Sequence, residues 1–307
     1  MSGAALLGGY AADLALGDPR RWHPVAGFGR AALALERALY APTRARGALY
    51  AATLVGLAAL TAELTARAAR RAGLGRGAGL VAITWAALGG RTLAREAGRI
   101  AAHVERGELD AARAALPALV GRDVDGLDAG EVCRAAVESV AENTSDAVVG
   151  ALVWGAVGGP AGVAAYRAAN TLDAMVGHRT ERYEHFGWAS ARLDDLMSLP
   201  GARGSAALAA ACAPLVGGSS RAAWTLLRRD GAAHPSPNAG RMEAAFAGAL
   251  GLRLGGPLSY GGETQSRARL GDGRAPEAAD VRRAVRLSLV IGGLAAAGCA
   301  LARELAP

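Results

Sequence analysis

The stretch AVVGALVWGAVGGPAGVAAY, residues 147–166, carries no charged side chain and decides how this sequence is interpreted. Its 20 residues match the ~20 that a membrane-spanning helix prefers. Gly158-Gly159-Pro160-Ala161-Gly162 interrupts the stretch and should break or kink a helix. Non-helical backbone at membrane depth is tolerated only where protein or a watery cavity covers it. We therefore expect 147–166 to break near Gly158 to Gly162 and to return, or to lie in a protein-lined cavity next to a site.

Other charge-free stretches lie on both sides of this one. They are shorter than a full span, but arginines bracket most of them, and arginine can extend a span by snorkelling. A soluble bundle of alanine-rich helices is the alternative, but these stretches lack the polar stripe of a half-exposed helix. We expect an all-α, polytopic integral membrane protein with four to six membrane helices or re-entrant elements. The stretches 47–62 and 77–90 should form a helical hairpin. The stretches are 1–12, 47–62, 77–90, 204–220 and 287–302.

The basic residues are unusual, because all 34 are arginine and the sequence has no lysine. Lysine chemistry is thereby excluded, including a phosphate-binding loop of the Walker type. The formal net charge of +7 fits anionic ligands, anionic lipid headgroups or an arginine-rich genome, and these remain alternatives. The three cysteines, Cys133, Cys212 and Cys299, lie far apart and suggest neither a disulfide nor a metal site.

The charged residues lie mainly in polar segments between the apolar stretches. We predict one multi-pass membrane domain over 1–307, with 91–146 as a mostly polar helical segment and 221–286 as a large loop region. The part from 261 to 286 is rich in glycine, arginine and acidic residues, which is typical of a loop leading into the last helix. Little in the sequence indicates strands.

An acidic block stands directly before the interrupted stretch. Glu138, Glu142 and Asp146 are four residues apart and would share one face of a helix. Mg²⁺ takes such oxygen ligands, usually one or two carboxylates with waters and substrate phosphate. A solvated acidic face balanced by Arg134 is the alternative, but the position beside 147–166 favours a metal site.

The next block, YRAANTLDAMVGHRTERYEHFGWASARLDD at 166–195, crowds polar groups among apolar ones. Arg167, Asn170 and Asp173 fall on neighbouring positions of one helix, and Arg179 and Arg182 follow with interleaved aromatic residues. Arginine forks bind phosphate bidentately, and aromatic faces stack on flat rings. An interfacial aromatic belt with snorkelling arginines is the alternative, but it leaves Asn170, Asp173, Asp194 and Asp195 without an explanation.

Five pieces of the sequence are informative when taken in order: GDPRRWHPV at 17–25, ENTSD at 142–146, the block at 166–195, SPNAG at 236–240 with Glu243, and LGGPLSYGG at 254–262. Together they resemble the adenosylcobinamide-phosphate synthase (CobD/CbiB) family of cobalamin biosynthesis. The resemblance implies a multi-pass membrane enzyme that joins aminopropanol, or its phosphate, to the free propionate of adenosylcobyric acid, with ATP and Mg²⁺. An unactivated carboxylate must first become an acyl phosphate, which requires a metal and arginine clamps on the phosphoryl group. A membrane transporter or corrinoid-binding protein without ligase activity is the alternative.

The expected site combines the residues of these blocks. Because ATP is available in the cytoplasm, we expect one pocket on the cytoplasmic side of the cell membrane. The expected partners are the corrinoid acid, the amine and the lipid bilayer, without nucleic acid, and self-association into a homo-oligomer is left open. The expected metal ligands and catalytic groups are Glu142, Asp146 and Asp173, with His23 and His178 for positioning or proton transfer. The expected substrate and phosphate ligands are Arg167, Asn170, Arg179, Arg182, Asp194, Asp195, Asn238 and Glu243.

Overall fold

The computed structural model describes residues 3–19, 23–178, 180–260 and 262–305, which fold mainly as helices. The helices are α1 (Ala4–Leu16), α2 (Pro24–Leu39), α3 (Arg44–Arg71), α4 (Ala78–Ala87), α5 (Gly90–Glu105), α6 (Leu109–Ala115), α7 (Ala129–Asn143), α8 (Gly150–Val176), α9 (Trp188–Cys212), α10 (Ser220–Asp230), α11 (Ala239–Leu250) and α12 (Ala278–Leu305). A π-helical turn, Thr144–Val149, joins α7 to α8. One antiparallel hairpin pairs β1 (Leu254–Tyr260) with β2 (Glu263–Leu270).

Three helical segments of the described chain are long and apolar enough to cross a membrane: Arg44–Arg71, Ala129–Val176 and Ala278–Leu305. Helix α1 is a shorter apolar helix of the same character. The prediction of a mainly helical, polytopic membrane protein is therefore confirmed. Helix α4, inside the predicted stretch 77–90, has only 10 residues, about half of what a span needs.

The chain packs as two compact units. The first contains Met1–Arg91, Asp146–Gly201 and Leu294–Pro307, and the second contains Thr92–Ser145 and Ala202–Gly293. The single domain over 1–307 stays a prediction.

In the first unit, α2, α3 and the end of α8 enclose an apolar cluster. Tyr50 and Phe186 are fully buried in it, with ring centroids 5.0 Å apart, and Leu172 and Val176 of α8 complete it. Helix α4 packs on α3 where Gly79 leaves room for Ala66, since a Cβ at Gly79 would lie 2.5 Å from the Cα of Ala66. The predicted pairing of 47–62 with 77–90 is thus present.

Helix α8 is broken in the middle of the interrupted stretch. Gly159 has φ 58° and ψ −142°, a conformation outside the helical region, and Pro160 follows. The carbonyl oxygen of Gly155, just before the break, accepts a hydrogen bond of 2.9 Å from Nη1 of Arg303. The arginine therefore satisfies a carbonyl close to the point where the helix stops.

After the break, the second half of α8 folds back along the first half. A Cβ at Gly162 would lie 3.0 Å from the carbonyl carbon of Trp154, and one at Gly150 would lie 2.6 Å from Cε1 of Tyr166. In a continuous helix, residues 150 and 166 would be about 24 Å apart at about 1.5 Å per residue. The expected break and return are therefore both confirmed.

In the second unit, the region predicted as a large loop, 221–286, is mostly regular structure, and that prediction is wrong. Helix α10 lies on α11, where a Cβ at Gly248 would meet the Cα of Ala223 at 2.5 Å. Helix α11 is almost wholly buried, and strand β1 is irregular at Gly255 and Gly256, where its register with β2 shifts and φ is 73° and 98°. The glycines, judged from sequence as loop residues, are instead what allows the strand to bulge.

The segment 91–146 is helical, as predicted, in α5, α6 and α7. Helix α7 is nevertheless buried along most of its length, from Val132 to Ala141, rather than mostly polar. Its alanines and valines face other parts of the unit, and its polar residues are concentrated at a few positions. The aspartate Asp128 caps it through a reciprocal capping box with Glu131.

Candidate functional site

The two halves of α8 form a helical hairpin that is closed at Gly159. Polar residues lie together at its open end, in the first unit. Asp146 precedes the first half of α8 and Arg167 lies in its second half, and the carboxylates of Asp18, Asp146 and Asp194 all act electrostatically on the Arg167 guanidinium. We name Asp146, Tyr166, Arg167, Asn170, Asp194 and Ser198 the Arg167 cluster. The juxtaposition of Asp146 with Arg167 is what the sequence predicted from the interrupted stretch.

Hydrogen bonds connect the members of the Arg167 cluster. Nη1 of Arg167 donates to Oδ1 of Asn170 at 3.3 Å, and Nδ2 of Asn170 donates to Oδ1 of Asp194 at 3.3 Å. Ser198 also donates to Oδ1 of Asp194, at 3.4 Å. The Nε of Arg167 is buried and has no hydrogen-bond partner in the described part of the chain. Buried donors normally have an acceptor, so the Nε of Arg167 is available to donate a hydrogen bond to an anionic ligand.

Asp194 is the titratable group of this cluster. Burial, followed by the charge of Asp173, raises the pKa of Asp194 to about 7. A carboxyl group with this pKa can accept or donate a proton near neutral pH. Asp195, the next residue, is half-buried and lies 3.6 Å from Nη1 of Arg192.

The remaining predicted residues of the first unit have other surroundings. Arg182 donates to Oε1 of the buried Glu36 at 2.9 Å and lies 4.2 Å from the ring centroid of Tyr40, so its guanidinium is already engaged. His23 caps α2 by accepting from the backbone of Val25 at 3.2 Å. His178 is exposed, with Nε2 at 2.9 Å from the carbonyl oxygen of Ala174. Arg179 lies outside the described residues.

The second unit holds a separate group of charged residues on α7, α11 and the connecting loops. Arg122 donates to Oε2 of Glu138 at 2.7 Å, and Oε1 of Glu138 accepts from the backbone of Gly255 at 2.8 Å. Arg134 donates to the carbonyl oxygen of Gly255. Glu138 was predicted only as a member of the acidic face, and the ion pair with Arg122 has no sequence signal because no spacing rule connects a loop to a helix 16 residues away.

Glu243 is the buried centre of this second group. Its carboxylate lies 3.9 Å from Nε2 of His234, and the same nitrogen is 3.0 Å from Nη1 of Arg267. Burial first, and then the charges of Glu138 and Glu142, raise the pKa of Glu243 well above its ordinary value. Burial and then Arg267 lower the pKa of His234. We name Arg122, Glu138, Glu142, His234, Glu243 and Arg267 the Glu243 cluster. The buried Asn238 directly precedes α11, the helix that carries Glu243.

The predicted metal ligands have carboxylate chemistry suited to Mg²⁺. Glu142 is exposed, whereas Asp146 and Asp173 are half-buried in the first unit. No three His, Cys, Asp or Glu side chains within the described ranges come close enough together to form a metal site by themselves. Mg²⁺ needs only one or two carboxylates when substrate phosphate and water complete its shell, so the residues fit a metal that arrives with a phosphate ligand.

The fold defines a helical membrane protein, and in its first unit the folded-back helix α8 gathers the polar residues of the Arg167 cluster. A sequence model described as CobD/Cbib protein matches residues 6–288, and the chain belongs to that family. A relative from Mycobacterium tuberculosis, "Cobalamin biosynthesis protein CobD", is 52% identical over 279 residues, which cover 91% of this chain and 88% of the relative. The protein of the same name from Geobacter metallireducens is 44% identical over 293 residues, covering 93% and 92%. No solved structure gives a significant match.

Proposed function

We propose that the protein is the amide ligase of cobalamin biosynthesis that joins (R)-aminopropanol, or its phosphate, to the propionate of adenosylcobyric acid, with ATP and Mg²⁺. The family membership and the printed names of the relatives support a role in cobalamin biosynthesis. The observation that carries the ligase assignment is the Arg167 cluster, where a buried guanidinium with an unused donor stands among carboxylates and beside a carboxyl group of near-neutral pKa.

Amide formation sets two requirements that the Arg167 cluster can meet. The propionate oxygen bonds to the γ-phosphorus of ATP as ADP leaves, and the amine nitrogen then bonds to the acyl carbon as phosphate leaves. Arg167 would hold phosphate oxygens through Nε and its terminal nitrogens, since a guanidinium fork matches phosphate geometry. Asp194 would take the proton that the amine nitrogen loses, and Asn170 and Ser198 keep its carboxylate in place through their hydrogen bonds.

The metal and the larger substrate are assigned to the other predicted residues. Asp146 and Asp173 would hold Mg²⁺, with Glu142 as the third proposed ligand, and the ion would neutralise phosphate charge when bound. Arg179 and Arg182 remain proposed ligands for phosphate, Asp195 remains a proposed substrate ligand, and His23 and His178 remain proposed for positioning or proton transfer. Glu243 and Asn238 are proposed to contact the corrinoid, where a protonated Glu243 could donate to a carbonyl or carboxylate oxygen. The proposed site faces the cytoplasm, where ATP is available.

Purified protein in detergent or nanodiscs tests the proposal directly. ADP and phosphate should appear only when the corrinoid acid and the amine are both present, together with a corrinoid whose mass shows the new amide. Arg167→Lys should lose this activity, whereas Arg192→Lys, at an exposed arginine in the same unit, should keep it. ATP hydrolysis that ignores both substrates would refute the ligase assignment. The alternative, a transporter or corrinoid-binding protein, draws support from the broken helix α8, and predicts corrinoid binding or sided uptake without an amide product.

A further inference from the structure

The exposed face of α10 carries two arginines and a tryptophan that the proposed ligase site does not use. Arg221, Trp224 and Arg228 are spaced three and four residues apart and therefore lie along one face of the helix. The opposite face, with Ala223 and Leu227, is buried. Trp224 is 39% exposed, and the guanidinium carbon of Arg228 lies 6.0 Å from its ring centroid. We name Arg221, Trp224, Thr225 and Arg228 the α10 basic face.

The charge of the α10 basic face is not neutralised within the described part of the chain. Neither Arg221 nor Arg228 has a carboxylate oxygen within 4.0 Å among the described residues. The next arginine, Arg229, behaves differently, because Asp230 and Asp272 each lie 2.6 Å from its guanidinium nitrogens. An open groove of about 730 Å³ runs over the face and is lined by Arg221, Trp224, Thr225, Arg228 and Arg229. The face therefore offers two free guanidinium groups and an aromatic ring to an anionic partner.

A hydrogen-bonded arginine connects the start of α10 to the first part of α12, which belongs to the same unit. Arg283 of α12 donates from Nε to the carbonyl oxygen of Val216 at 2.9 Å and from Nη1 to that of Leu250 at 3.1 Å. The charge-free stretch of α12, 287–302, begins four residues after Arg283, and α10 begins four residues after Val216. Helix α10 therefore starts close to the level at which α12 enters its apolar segment. Tryptophan and arginine are the residues that favour this interfacial level.

We propose that the α10 basic face binds the phosphate groups of anionic phospholipids at the membrane surface. Guanidinium forks match the phosphodiester oxygens in geometry and charge, and the indole ring suits the headgroup layer. Anionic leaflets attract basic side chains near the surface strongly enough to hold such a helix in place. The proposal is independent of the ligase reaction, because it concerns residues that the proposed ligase site does not use.

Quenching of Trp224 by brominated lipid tests the proposal on the full-length protein. Brominated phosphatidylglycerol is titrated into the detergent-solubilised protein, and the signal of Trp224 is obtained as the difference between wild type and Trp224→Phe. Quenching should saturate with phosphatidylglycerol and be weak with brominated phosphatidylcholine. Arg221→Gln combined with Arg228→Gln should weaken the apparent affinity about 25-fold, at roughly fivefold for each arginine near a membrane surface.

A matched double variant controls for the loss of two charges. Arg106→Gln combined with Arg282→Gln removes two exposed arginines of the same unit that are already paired, with Glu108 and Glu105 respectively, and should bind lipid like the wild type. Equal quenching by both lipids, or unchanged affinity in the Arg221 and Arg228 variant, would overturn the proposal. Displacement of the lipid by equimolar glycerophosphate would reassign the face to a small soluble phosphate. Quenching that falls as protein concentration rises would reassign it to a second copy of the chain.

Discussion

Replacing Gly162 by alanine should force the two halves of α8 apart and so test the re-entrant hairpin. The new Cβ would lie 3.0 Å from the carbonyl carbon of Trp154 and closer still to its oxygen, whereas ordinary contacts of a Cβ begin at 3.4 Å. The opposing atoms are backbone and cannot rotate away. We expect Gly158→Ala, four residues earlier in the same interruption, to be tolerated, because a Cβ there has no heavy atom within 4 Å.

The cost of the clash at Gly162 follows from overpacking in well-packed interiors, which is about 1–3 kcal/mol. At roughly 2–4 °C per kcal/mol for a domain of this size, the melting temperature should fall by about 2–12 °C. Gly158→Ala should leave it unchanged or raise it slightly, because alanine restricts the unfolded chain. Turnover should fall as well, since a displacement of about 1 Å between Asp146 and Arg167 can cost up to about 100-fold in rate.

Both variants are measured in one detergent, with thermal unfolding followed by intrinsic fluorescence and turnover followed by amide product. A lower melting temperature and lower turnover in Gly162→Ala alone would support the folded-back packing. If Gly162→Ala and Gly158→Ala melted at the same temperature and turned over at the same rate, the contact between residues 154 and 162 would be wrong, and the return of α8 with it.

Three further substitutions test the two clusters. Arg167→Lys should lower kcat/KM at least about tenfold with little change in melting temperature, because a point charge cannot replace the fork. Asp194→Asn should reduce the pH dependence of stability: with a pKa of about 7 when folded and 3.8 when unfolded, Asp194 should cost the wild type roughly 4 kcal/mol of stability as pH rises through this range, and the variant should lose that much less. Thermal unfolding between pH 4 and 8 checks this, and parallel curves for both proteins would contradict it. Glu243→Gln should keep the fold at pH 7, because the raised pKa of Glu243 favours its neutral form, which glutamine resembles. If both proteins lost similar stability at high pH, Glu243 would not be protonated in the native protein.

The sequence was sufficient for the long apolar helices α3 and α12 and for the break in α8, because these depend on local properties. A run without charge predicts a span, and Gly-Gly-Pro-Ala-Gly predicts an interruption wherever it occurs. The β-hairpin could not be predicted in the same way. Its strands contain Gly255, Gly256 and Pro257, which are poor strand residues, and the pairing is stabilised by distant groups, such as Glu138 accepting from the backbone of Gly255.

Some contacts of the candidate site could likewise be predicted from the sequence, and others could not. The approach of Asp146 to Arg167 could be predicted because both flank one interrupted stretch, and a simple crossing would have separated them. The engagement of Arg182 could not, since its partner Glu36 is 146 residues away and no spacing connects the two. A phosphate role predicted for Arg182 therefore competes with an ion pair that only the three-dimensional structure reveals. His23 is similar: its position before Pro24 identifies a turn, and the structure uses it as a helix cap.

The glycines of α8 link the fold to the site in a way that their spacing alone does not indicate. Gly155-xxx-Gly159 and Gly158-xxx-Gly162 are spacings typical of two separate helices in close contact, yet here Gly159 forms the turn and Gly162 packs within the same hairpin. The charges at the open end reinforce that packing, because opening the hairpin would move Arg167 away from Asp146 and leave a buried guanidinium with less compensation. Packing at the closed end and charge pairing at the open end therefore favour the same conformation. A substitution that disturbs the packing at Gly162, or one that removes the positive charge of Arg167, should therefore weaken both the hairpin and the Arg167 cluster, so that stability and phosphate binding decrease together.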